Sequence, residues 1–241
     1  MKTSFLLILI VMFAGSAFGQ AQIITEREYD KAYDYAIAET NSQYPFVHTF
    51  TAEYFEKGEP AWNEISIAER QDRGVEKQTF TTVKNGKTTT TNQLRTGFGN
   101  NVYCSSDGTT WNGPQQYECP REIVVYRPPV ANTTEYSVES KMIDGKAAKV
   151  YRKFETFTGY HRTPTYKEDI ATIDPDGLFV STIKTMGDLD TKSINTRLTN
   201  SWKLNAKFPK ITAPQNAIPV SKDGQKGSKF TLRSNDPKIK P

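Results

Sequence analysis

Apolar residues recur along this chain with two different periods, and the switch between them organises it. Between Thr25 and Asn41 they fall at Tyr29, Ala32, Tyr33, Ala36 and Ile37, the stripe of an amphipathic helix. Thr25 and Glu28 have the spacing of a capping box at its start, and Pro45 ends it. From Phe46 the period becomes two: Phe46, His48, Phe50, Ala52 and Tyr54 alternate with Val47, Thr49, Thr51 and Glu53. Gly58-Glu59-Pro60 breaks that run, and a second strand is expected from Trp62 to about Glu69. Four hairpin signals then follow. Asn85-Gly86 separates 75–84 from 87–98, and Asp107-Gly108 separates 102–105 from 109–112. Asp144-Gly145 separates 134–143 from 146–157, and Asp174 to Gly177 separates 166–173 from 178–186. A last strand is expected from Lys192 to Leu204, with Ile194, Leu198, Trp202 and Leu204 on one face. Consecutive hairpins make an antiparallel meander, and alternation leaves one face solvated. The fold class predicted is α+β: a curled antiparallel sheet, an unclosed β-barrel of about ten strands, covered by the N-terminal helix.

The first nineteen residues stand apart from this pattern. A basic start at Lys2, the apolar run Phe5 to Phe13 and the small residues Ala14 to Gly19 predict a secretory signal peptide cut before Gln20. A cut after Ala21 is the second choice. The run is too short for a comfortable membrane span, and no later segment is apolar enough to be one. The chain is expected to be exported, periplasmic or secreted. It divides into signal peptide 1–19, one domain 20–213 and a basic disordered tail 214–241, where apolar patterning stops.

Charge alters the picture through its position. The net charge is +4, but six basic residues against two acidic ones place a net +4 in the tail alone. With Lys2 removed, the body is left at −1. A nucleic-acid footprint needs a basic folded face, so no nucleic-acid partner is expected. The tail reads as a solvated end, with contact to an anionic surface as the alternative. Cys104 and Cys119 are the two cysteines of an exported chain and are expected to pair. A redox thiol pair is disfavoured by their spacing.

Candidates for chemistry are sparse. His48 lies on a strand face between two rings and reads as a packed residue, and His161 lies in a loop. No HExxH, P-loop, GxGxxG or G-x-S-x-G pattern occurs. Asp174-x-Asp176-Gly177 opens like a calcium loop, but position twelve is Thr185, so it reads as a turn. Asn132-Thr133-Thr134 is a glycosylation sequon that matters only in a eukaryotic secretory pathway. No catalytic residue, cofactor or metal site is expected, and the chain is read as not an enzyme. A hydrolase with dispersed residues, His161 among them, is the outlying alternative. The aromatic residues remain. They fill the interior if the barrel is closed and line a cleft for an apolar ligand if it is open.

Several phrases together resemble a known family. They are Gly99-Asn100-Asn101-Val102-Tyr103, Ser106 to Trp111, the ladder Lys146 to Phe157, and Ile170 to Leu178. With the signal, helix and meander, they resemble the bacterial outer-membrane lipoprotein carriers of the LolA and LolB type, over roughly 22–213. That resemblance implies helices lidding an apolar cavity, and a non-enzymatic carrier of lipid, acyl chains or another apolar small molecule. The cysteine pair, the basic tail and the single helix depart from it. The lining is expected at Phe50, Tyr54, Leu94, Phe98, Phe154 and Trp202. The alternative is a structural or adhesive β-domain at the cell surface with a closed core.

Overall fold

The computed structural model describes residues 20–97, 101–115, 118–119, 122–126, 131–158, 163–220 and 229–233. The expected signal peptide, Phe98, His161 and most of the tail's basic residues lie outside them. Among the described residues the fold is α+β, with one helix and mostly antiparallel strands. The chain forms two compact units. Residues up to 41 with 131–192 make the first, and 42–130 with 193 onward make the second.

In the first unit the strand order is β1(Gln22–Ile23), β9(Thr133–Ile143), β10(Lys146–Phe157), β11(Thr165–Ile173) and β12(Phe179–Asp188). The helix α1(Glu26–Ser42) starts at the expected capping box. Thr25 N donates to Glu28 Oε2 at 2.8 Å, and Glu28 N donates back to Thr25 Oγ1 at 3.3 Å. Its buried line runs through Tyr29, Ala36 and Thr40, with Tyr33 half-buried beside them, whereas Ile37 is exposed. Tyr29 packs against Tyr136 and Tyr151, and Tyr33 against Phe179. These partners share one sheet face, because Tyr151 stands opposite Val138 and Ala171 in register. Thr40 Oγ1 accepts the Phe179 amide at 2.8 Å and fastens the end of α1 to the start of β12.

In the second unit the order is β13(Ile194–Leu204), β2(Phe46–Glu56), β3(Glu59–Asp72), β4(Val75–Lys84), β5(Lys87–Thr96), β6(Asn101–Ser105) and β7(Asn112–Gln115). The expected break at Gly58-Glu59-Pro60 is a tight turn at Lys57-Gly58, both with positive φ. Pro60 falls inside β3 at a bulge opposite Phe55, a place a sheet tolerates proline. The strand expected at 109–112 is absent. Asp107 Oδ1 accepts the Thr109 and Thr110 amides, which bends that stretch and delays the strand to β7.

Two pieces of the expected disordered tail have backbone partners. Ile218 bridges Asn112, and β14(Lys229–Arg233) pairs parallel with β8(Glu122–Tyr126).

Candidate ligand-binding site

Strand register decides which of the expected lining residues meet. Across the second unit, Trp202, His48, Ala68 and Gln78 stand in one row. Asn200, Phe50, Ser66 and Phe80 form the next, and Tyr54 and Trp62 lie two rows further along. Alternation puts all of these on one face. Phe50, Tyr54 and Trp202 are therefore brought onto a common surface.

That face has an unusual distribution of exposure. Ala52 and Ala68 are each 1% exposed and Ser66 4%, and the rings of Phe46 and Phe80 are buried with them. The rings of Phe50, Tyr54, Trp62 and Trp202 remain partly accessible. Partly accessible rings and small buried residues thus share this face. The rings are held in place by one another. Tyr54 stacks on Trp62 with centroids 3.6 Å apart, and His48 stacks on Trp202 at 5.0 Å. The His48 Nε2 bonds Asn200 Oδ1 at 3.0 Å. Burial is the largest influence on this imidazole and holds its pKa below the usual value, so it is neutral at physiological pH.

One further row closes the face. Leu204, Phe46, Arg70, Glu76 and Arg95 stand in register across five strands. Here the lining changes from rings to charge, around a cleft of about 220 Å³ bordered by Tyr44, Arg70, Asp72, Arg73, Glu76 and Arg95. Arg70 pairs with Glu76 at 2.5 Å and lies over the Phe46 ring. Arg95 pairs with Glu118 at 2.6 Å. The arginines come from distant positions and are invisible as a motif. The turn at Asp72-Arg73-Gly74, with Arg70 and Glu76 placed symmetrically about it, was the available signal.

Two expected lining residues lie elsewhere. Leu94 is on the opposite face by parity and belongs to a separate core with Tyr103 and Ile211, beside Phe208 and Trp111. It is a packing residue there. Phe154 belongs to the first unit, on the face away from α1, where it stacks on Tyr166 and carries the Arg152 guanidinium over its ring. Phe98 lies outside the described residues. The face of the first unit that α1 covers continues into charge. Lys167 bonds Glu155 at 2.7 Å and Asp169 at 3.0 Å, and Lys153 lies 3.2 Å from Glu155. This strip is no apolar lining.

Cys104 and Cys119 form a disulfide with Cα atoms 5.5 Å apart. The Cys119 amide donates to the buried Gln93 Oε1 at 3.0 Å, tying the loop to β5. Among the described residues no cluster of three or more His, Cys, Asp and Glu side chains could hold a metal. No described helix is long and apolar enough to cross a membrane. Asp174 Oδ1 accepts the Asp176 and Leu178 amides, so its carboxylate serves the turn.

No protein-family model matches the chain, and no curated protein matches it. Among solved structures it is similar to LprF from Mycobacterium bovis, with 12% sequence identity and a TM-score of 0.42 over 80% of this chain and 98% of that one. A likeness this distant assigns no family.

Proposed function

We propose that this is an exported, non-enzymatic binding protein that takes an apolar ligand, a lipid or acyl chain, on the ring-lined face of the second unit. One observation carries this reading: Phe50, Tyr54, Trp62 and Trp202 share one face of the second unit and stay partly accessible. A filled, closed interior would bury all rings of this size, as Phe46 and Phe80 are buried on the same face. Ala52, Ser66 and Ala68 fill little of the space between those rings, which would supply flat apolar walls. Each methylene of a chain seated there would gain about 0.8 kcal/mol on leaving water. Export is supported by the pattern of the first nineteen residues and by the Cys104–Cys119 bridge, which suits an oxidising compartment.

The test is native mass spectrometry of the mature protein purified without detergent, followed by titration with oleate and phospholipid while tryptophan emission is read. Bound mass released on unfolding, or a saturable change in Trp62 and Trp202 emission, is the expected result. A clean protein mass and unaltered emission would overturn the reading in favour of a structural or adhesive β-domain.

A further inference from the structure

We infer that the arginine cleft closing the ring-lined face holds the singly charged oxyanion head group of the ligand whose chain lies along that face. This rests on the binding role proposed above. Continuity is the first argument. Arg70 follows Ala68 and Ser66 on the same face of β3, and Phe46 follows His48 and Phe50 on β2. The charged row is thus the next step of one surface. From Phe46 to Tyr54 that face runs about 27 Å at the rise of a strand, the length of an extended amphiphile.

The second argument is the donor set. Guanidinium groups present forked N–H donors that match a carboxylate or phosphodiester. Two of the three are fixed in place: Arg70 by Glu76 and the Phe46 ring, and Arg95 by Glu118. Arg73 is exposed and has no ion-pair partner among the described residues, so its fork is available at the cleft mouth. The Tyr44 side chain borders the same space.

The third argument limits the charge. Asp72 and Glu76 border the cleft as well. Glu76 is occupied by Arg70, and Asp72 Oδ1 accepts the Gly74 amide at 2.8 Å. One negative charge meets donors there, and a second would face these two carboxylates. The cleft therefore suits a monoanion over a phosphate monoester. Its volume of about 220 Å³ admits a head group and not a whole lipid.

The experiment compares oleate with oleyl alcohol, which carries the same chain without the charge. Binding is followed by tryptophan emission in the wild-type protein and in Arg73→Gln, an exposed turn substitution. Oleate is expected to bind at least about tenfold more tightly than the alcohol, the size of one charge-assisted hydrogen bond. R73Q should remove most of that advantage, bringing oleate affinity down towards that of the alcohol. Equal affinity for the two, insensitive to R73Q, overturns the head-group assignment while the ring-lined face stands. If neither ligand binds, the face reading fails, and the cleft is tested alone. Acetate and dimethyl phosphate are then titrated while arginine side-chain NMR signals are observed. Saturable shifts at Arg73 and Arg95 support a monoanion site, and their absence overturns it. In the intact case, preference for phosphatidylglycerol or for oleate assigns the phosphodiester or the carboxylate.

Discussion

Replacing Thr40 with valine tests how the helix is fastened to the sheet. Thr40 is fully buried, and its Oγ1 accepts the amide of Phe179, itself 3% exposed, at 2.8 Å. β12 enters its pairing with β11 through a register shift opposite Ile173, and this amide at its start goes to the helix hydroxyl. Valine keeps the size of the side chain and removes the acceptor, stranding a donor in a dry site. That costs about 1–3 kcal/mol. Thr40→Ser keeps the oxygen and loses one methyl, for about 1 kcal/mol. Hydrogen exchange at the Phe179 amide reads the difference directly. A loss of about 2 kcal/mol accelerates its exchange roughly thirtyfold, with a smaller effect in T40S. Unchanged protection in T40V, or equal damage in both variants, would refute the idea that this hydroxyl is what holds the two elements together.

Two further outcomes follow from the second unit. Removing the disulfide as Cys104→Ser with Cys119→Ser opens a loop with a sequence separation of 15 and should lower stability by about 3 kcal/mol. Thermal unfolding of the wild type with and without reductant checks this, and matching curves would contradict it. His48 has a folded pKa held down chiefly by burial, so the unfolded chain binds its proton more readily. Its contribution to stability is present above pH 6.5, the ordinary value, and is lost as pH falls below that value towards the folded pKa. Denaturant midpoints between pH 7.5 and 5 should fall less in His48→Gln than in the wild type, and parallel slopes would count against the assignment.

Local chemistry made much of the fold legible. Asn85-Gly86 and Asp144-Gly145 are the positive-φ turns that their residue types demand, and the alternation from Phe46 to Tyr54 does define one face of β2. The two cysteines are paired as expected. What escaped the reading depends on register between strands far apart in sequence. Leu94 and Gln93 are neighbours in the chain, yet parity sends them to opposite faces, so Leu94 joins Tyr103 and Ile211. Phe154 obeys the same alternation on a strand of the other unit. Arg70 and Arg95 border one cleft only because Glu76 stands between them in register. Ala52, Ser66 and Ala68 carry no signal alone, since alanine and serine gain meaning only beside the rings that share their face.

An open sheet must also manage its ends. β9 has eleven residues, and β1 pairs with only Val138 and Ser137 of them. Along that border stand Glu135, Glu139 and Lys141, the last two joined in an ion pair at 2.5 Å, beside the exposed Met142. A second copy adding a strand there would have to bury those charges, which is how natural sheets deter edge-to-edge aggregation. The border thus guards colloidal solubility: neutralising Glu139 and Lys141 together would leave the methionine on a bare template for stacking into insoluble assemblies.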